Sequence, residues 1–161
     1  MPENQKKLAL IATKGTLDWA YPPFILASTA AALGYEAQIF FTFYGLNLLK
    51  KKMDLKIPPL GNPGMPMPMG MDKWFPTVGT ALPGMESVMT GMMKQKMKSK
   101  GVASVEELRD ICIESEVKLI ACQMTVDLFD FKREDLIDDI ETGGAATFLE
   151  SAGEADVSLF A

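Results

Sequence analysis

Short apolar runs alternate along this chain with longer segments of helical spacing. Leu8–Thr13 is a continuous apolar run ending in Lys14, Gly15 and Thr16, the pattern of a fully buried strand followed by a turn. An alanine-rich helix is predicted from Pro22, a residue tolerated in a first helical turn, to Leu33, with Gly34 as its stop. Ala37–Phe43 predicts a second buried strand. Gly45–Lys52 predicts a short helix whose basic end, Lys50, Lys51 and Lys52, complements the dipole. Met85–Lys100 returns to helical spacing, with Met85, Met89, Met92, Met93 and Met97 on one face and lysines on the other. Ser104 and Glu107 form a capping-box signature for a helix ending near Ser115, with Val105, Leu108, Ile111 and Cys112 on its apolar side. Val117–Ala121 predicts a third buried strand, Ile137–Glu141 a short fourth, Ala145–Ala152 a small helix and Asp156–Phe160 the last strand.

Strands alternating with helices imply a parallel sheet covered on both faces. The expected architecture is therefore α/β: one domain over residues 1–161, a three-layer sandwich with a mainly parallel sheet of about five strands. Residues 53–84 break the pattern. Six prolines between positions 58 and 76, together with Pro83, exclude regular structure, and Met65, Met67, Met69 and Met71 alternate among them. A Met/Pro-rich loop of this length is expected to act as a lid, an interaction segment or an insertion.

Composition narrows the chemistry. The 161 residues are 48% hydrophobic and 23% charged, enough for a real core. A net charge of −5 argues against a duplex-binding surface, so no nucleic-acid partner is expected. There is no histidine, which removes histidine general bases, His-based triads and imidazole zinc sites. Two cysteines, Cys112 and Cys122, make neither a disulfide framework nor a structural zinc site, and no cofactor or metal is expected. The apolar run near the N-terminus is too short for a signal sequence, and the prolines at 22 and 23 and Gly34 bound the next one. These features, with free thiols, predict a cytoplasmic protein.

The position richest in chemistry is Cys122. In an open parallel sheet, ligands bind beyond the carboxyl ends of the strands near a topological switch point. The segments expected there are Lys14–Asp18, Phe43–Gly45 and Cys122–Thr125. A cysteine ending a strand and opening a helix has backbone N–H groups near its sulfur, which favour thiolate. Asp127 and Asp130 oppose that effect if they face it. The competing reading of Cys122 is a small buried hydrophobe. Cys112, on an apolar helix face, reads as core, although a ten-residue separation leaves its sulfur free to approach Cys122.

Three stretches carry a resemblance. AQIFFTFYGLNLLKK (37–51), LIACQMTVDLFDF (119–131) and IETGGAATFLESAGEADVSLF (140–160), with the Met- and Pro-rich middle, resemble the DsrE/DsrF/DsrH-like family, particularly its larger DsrE-like members. The resemblance implies sulfur trafficking: a cysteine accepts sulfur as a persulfide or thiosulfonate and passes it to TusA-like or rhodanese-like partners. It implies Cys122 as the acceptor. The surrounding residues would be Thr13, Lys14, Gly15, Thr42, Phe43, Tyr44, Gly45, Gln123, Met124 and Thr125, with Cys112 as a possible second thiol. It also implies a homo-oligomer, a trimer being the first expectation. Asp130 departs from the small residue, often glycine, expected near that position.

Two other functions stay open. One is a non-catalytic interaction subunit whose Met-rich loop and helix bind a protein or membrane surface. The other is a redox role using both cysteines.

Overall fold

The computed structural model describes residues 5–58 and 81–161. Five strands form one parallel sheet: β1 (Lys7–Ala12), β2 (Glu36–Phe41), β3 (Lys118–Cys122), β4 (Glu141–Gly143) and β5 (Val157–Phe160), in the order β4-β3-β2-β1-β5. Helices α1 (Leu17–Ala32), α2 (Met85–Ser99), α3 (Val105–Glu114), α4 (Gln123–Leu128) and α5 (Ala145–Ala152) connect them. The chain divides into two compact units. The first holds the residues up to Gly15, Trp19–Asp54 and Val105–Ala161, and the second holds Thr16–Asp18 with the described part of Leu55–Ser104.

Register and pleat sort the sheet residues of the first unit into two faces. Leu10 aligns with Ile39, and Ile39 with Leu119, so Leu8, Leu10, Ala12, Ile39, Phe41, Leu119 and Ala121 share one face. There Phe24 of α1 packs its ring 6.0 Å from Phe41, and the Cys112 thiol of α3 donates to the Phe24 carbonyl at 3.4 Å. The other face gathers Ala9, Phe40, Ile120 and Cys122 under Phe148 of α5, whose ring stacks 5.0 Å from Phe40. Both faces are covered because consecutive strands run one way from β1 to β4, and the chain then returns to lay β5 on the far side of β1.

In the second unit, the Leu17 N–H donates to the Lys56 carbonyl and the Ile57 N–H to the Thr90 hydroxyl, both at 3.0 Å. Met93 is buried and Met85, Met89, Met92 and Met97 are half-buried, so the methionine face is largely withdrawn from solvent.

Several elements depart from the sequence expectation. α1 starts at Leu17, five residues before Pro22, so Pro22 and Pro23 lie inside it. The small buried residues Ala20, Ala27 and Ala30 let this helix lie close to the sheet around Phe24, packing that outweighs the missing N–H groups. The helix expected over 45–52 is a 3-10 helix, Phe43–Leu49. The fourth strand forms at Glu141–Gly143 instead of 137–141. Ile137 N–H is taken by the Leu49 carbonyl, while Arg133 binds the carbonyls of Leu136, Ile137 and Asp138. On α3 the buried stripe is Val105, Arg109 and Cys112, with Ile111 exposed. Arg109 is tolerated inside because its guanidinium donates to the Leu48 and Lys50 carbonyls at 3.0 and 2.7 Å. The Met65–Met71 run and most of the 53–84 segment lie outside the described residues. At its described ends, residues 53–58 and 81–84 carry no helix or strand longer than a turn.

Candidate functional site

β3 ends on Cys122, and α4 begins at the next residue, so the chain turns sharply at the thiol. Cys122 itself has extended backbone angles (φ −66°, ψ 114°), while Gln123 is already helical. The first turn of α4 then has N–H groups without intrahelical acceptors. Burial pushes the Cys122 thiol up, but hydrogen bonds from the Thr125 N–H and hydroxyl, the Thr42 hydroxyl and the Met124 N–H outweigh it. The thiol is held below its ordinary value. All of these donors are neutral.

The two threonines form one unit. Thr42 Oγ1 and Thr125 Oγ1 lie 3.2 Å apart, and the Phe43 N–H donates to Thr125 Oγ1 at 3.1 Å. With that lone pair occupied, the fully buried Thr125 hydroxyl has its own hydrogen to aim at an acceptor. The bond also holds Phe43 in the left-handed region (φ 48°), a conformation that costs an ordinary L residue about 1–2 kcal/mol. Beyond Phe43, Gly45 presses against the Ala12 carbonyl and Gly15 against the Tyr44 carbonyl, close approaches that leave no space for a Cβ. Asn47 closes the turn by donating to Tyr44 O at 3.0 Å.

Removing the Thr125 hydroxyl tests this network. Thr125→Val is expected to raise the pH midpoint of Cys122 alkylation by iodoacetamide and to slow the reaction several-fold at neutral pH. The sign follows from the donor: a hydroxyl that binds the anion favours it, so its loss raises the thiol pKa. Thr125→Ser should restore the parent profile. An unmoved midpoint in the valine variant would remove the hydroxyl from the account.

The expected surroundings divide in two. Thr42, Phe43, Met124 and Thr125 converge on Cys122, and Gly15, Tyr44 and Gly45 shape the layer behind them. Gln123 is exposed and donates to Asp127 at 2.8 Å, tying up that carboxylate on α4. Thr13 is engaged elsewhere: its N–H and hydroxyl bind the Ala161 carbonyl at 3.0 and 3.1 Å. The Lys14 ammonium sits 3.4 Å from the Trp19 ring centroid. Cys122 also does not lie at the switch point. Strand order reverses between β1 and β5, where the Thr13–Ala161 bonds and the Ala161 N–H to Ile11 carbonyl bond tie the strand ends together.

Cys112 is separated from Cys122 by the sheet itself, since the two thiols pack on opposite faces. Burial pushes the Cys112 thiol up to about 12, with a backbone hydrogen bond from Ser28 acting weakly against it. This arrangement closes the approach of the two sulfurs that the sequence left open and gives no support to a redox centre built from both. Cys112→Ser is expected to lower stability by about 1–2 kcal/mol, because a smaller and more polar group replaces a fully buried sulfur and keeps only backbone partners such as the Phe24 carbonyl. It should leave Cys122 alkylation unchanged, and thermal melting together with iodoacetamide kinetics reads both. A neutral buried thiol also stabilises the fold only below the ordinary thiol range. That contribution falls away as pH rises toward 12, and the serine variant should lose the corresponding alkaline sensitivity.

Sequence reasoning passed over the aromatic wall beside the site. Phe43, Tyr44, Phe129 and Phe131, with Asn47, Lys50, Asp130 and Asp135, line an open cavity of about 330 Å³. The alternation of Phe129 and Phe131 around Asp130 was the available signal. Asp130 takes φ 52°, which explains the expectation of glycine there, and aspartate is among the residues that tolerate this conformation. Among the described residues no group of three or more cysteine or carboxylate side chains is placed to hold a metal ion.

With this geometry in place, comparison with known proteins is decisive on family. The model of the DsrE/DsrF/DrsH-like family matches residues 4–160. The chain belongs to that family. Among family relatives, the chain is 74% identical over 157 residues to the sulfur carrier protein DsrE2 of Allochromatium vinosum, covering 98% of this chain and 99% of that one. It is 34% identical to the uncharacterized protein YrkE of Bacillus subtilis over 99% of both. The crystal structure of the ychN protein from E. coli superposes with a TM-score of 0.57 over 98% of this chain and 100% of that one, at 11% identity, a likeness of fold alone. The DsrE/DsrF/DrsH-like assignment thus spans the sheet, α4 and the Cys122 turn together.

Proposed function

We propose that this protein is a sulfur carrier whose Cys122 accepts sulfane sulfur and hands it to a partner's thiol. The observation that carries the reading is the depressed Cys122 thiol at the β3–α4 turn, held down by neutral hydroxyl and N–H donors. The 74% identity to a sulfur carrier protein supports it.

In the loading step the Cys122 thiolate attacks the outer sulfur of a donor persulfide or polysulfide. A new S–S bond forms on Cys122 while the donor's S–S bond breaks, and the donor leaves as a thiolate with the electron pair. In the second step an acceptor thiolate attacks the terminal sulfur, and Cys122 departs as the thiolate that the site already favours. Neither step needs a metal or a histidine. The residue is only 5% exposed, which shelters a bound persulfide from stray thiols.

TusA-like or rhodanese-like proteins are the proposed exchange partners, in the cytoplasm, and the unit is the one domain over 1–161. Among the described residues no helix is long and apolar enough to cross a membrane. Self-association as a ring, a trimer first, is supported by apolar side chains left exposed on α1 (Ile25, Leu26) and at the β5 edge (Leu159, Phe160).

Incubation with polysulfide followed by mass spectrometry tests the central claim. The expected result is addition of sulfur to the Cys122 peptide that is reversed by dithiothreitol. A chain that stays unmodified while its Cys122 alkylates normally would overturn the carrier reading.

A further inference from the structure

The stretch of sequence that follows Cys122 is strongly acidic. Between residues 123 and 141, seven carboxylates stand against Lys132 and Arg133, and one of the seven, Glu141, is paired with Lys118 at 3.2 Å. All seven are exposed. Arg133 offsets them little outward, since its guanidinium is turned onto the carbonyls of Leu136, Ile137 and Asp138.

The same stretch carries the aromatic cavity. Tyr44 and Phe129 are 62% and 42% exposed, with ring centroids 5.7 Å apart, and Asp130 and Asp135 lie on the same wall. One cation already uses this wall: the Lys50 ammonium stands 5.3 Å from the Phe131 centroid, leaving Tyr44 and Phe129 open. Phe43 joins the cavity to the thiol, since it lines the one and its N–H holds the threonine that binds the other. From Cys122, α4 spans only six residues, about 9 Å, before Phe129. An acidic, aromatic collar thus stands one short helix away from Cys122.

We propose that this collar docks a basic face of the partner protein that exchanges sulfur with Cys122. An arginine of that partner is seated between Tyr44 and Phe129 and against Asp130 and Asp135. Planar guanidinium suits both parts of the wall, stacking on the rings and bonding the carboxylates. The inference rests on the sulfur-carrier reading for the identity of the partner, but the docking chemistry is separable from it.

The test uses three synthetic pentapeptides, each with a central cysteine activated as its 2-thiopyridyl disulfide and flanked by arginines, serines or glutamates. The Cys122 thiolate attacks the peptide sulfur, a protein–peptide disulfide forms, and pyridine-2-thiolate leaves with the electron pair and is read by its absorbance. At low salt the arginine peptide is expected to react about tenfold faster than the serine peptide and the glutamate peptide more slowly, with the spread closing as salt is raised. The double variant Asp130→Asn, Asp135→Asn and, separately, Phe129→Ala should each bring the arginine-to-serine rate ratio toward one. Equal rates for the three peptides, or a ratio unmoved by both variants, would overturn the docking proposal. Because no persulfide is involved, an intact arginine preference with no loading from polysulfide would overturn the carrier reading and leave the docking standing.

Discussion

Cys122→Ser is expected to abolish sulfur loading while changing stability by about 1 kcal/mol or less. The small stability effect follows from the site's own donors. A serine hydroxyl at this position meets the Thr42 and Thr125 hydroxyls and the Met124 and Thr125 N–H groups, so its oxygen is not left unsatisfied. The large functional effect follows from nucleophilicity, because these donors lower the pKa of a thiol but cannot ionise an alcohol. Mass spectrometry after polysulfide treatment and a melting curve read the two effects independently. A serine variant that loads as well as the parent would move the acceptor elsewhere.

Gly45→Ala should be the most damaging single-methyl addition in the first unit. Its Cβ would meet the Ala12 carbonyl oxygen head-on, with the carbonyl carbon at 2.7 Å and the Thr13 nitrogen at 3.2 Å. These atoms are backbone. The Ala12 oxygen is also the acceptor for the Thr42 N–H at 3.0 Å, so relief of the clash displaces the β1 end from the start of the Thr42 turn. The expected loss is about 3 kcal/mol, a fall in Tm on the order of 10 °C. Cys122 alkylation should slow as well, since Thr42 moves. Gly91→Ala on α2 is the counter-case: a Cβ there meets nothing within 4 Å, and stability should rise by up to about 1 kcal/mol. A Gly45→Ala variant that melts with the parent would show that the β1 end yields freely.

The strands were legible because each central one is a short apolar run bounded by turn residues, and Leu8–Ala12, Ala37–Phe41 and Leu119–Cys122 are buried on both sides. α5 and α2 were legible from spacing, within a residue at either end. The start of α1 was not, because local proline rules place Pro22 in a first turn whereas packing of Leu17, Ala20 and Phe24 extends the helix before it. Cys122 could be singled out from its place at the end of a strand. Its partnership with Thr42 could not, because residues 83 apart in sequence are joined only through sheet register and the 3.2 Å approach of two hydroxyls. The burial of Arg109 was not legible for the same reason: its carbonyl partners lie some 60 residues earlier in the chain.

The placement of the two cysteines on opposite faces of the sheet has a consequence for how a loaded molecule is emptied. A persulfide with a neighbouring thiol can collapse into an internal disulfide, expelling hydrosulfide and wasting its cargo. Here the sheet acts as insulation between Cys122 and the chain's other thiol, which burial also keeps protonated. On the sulfur-carrier reading, a sulfur held at Cys122 has no exit through Cys112, so its lifetime would be set by which outside thiols reach the β3–α4 turn.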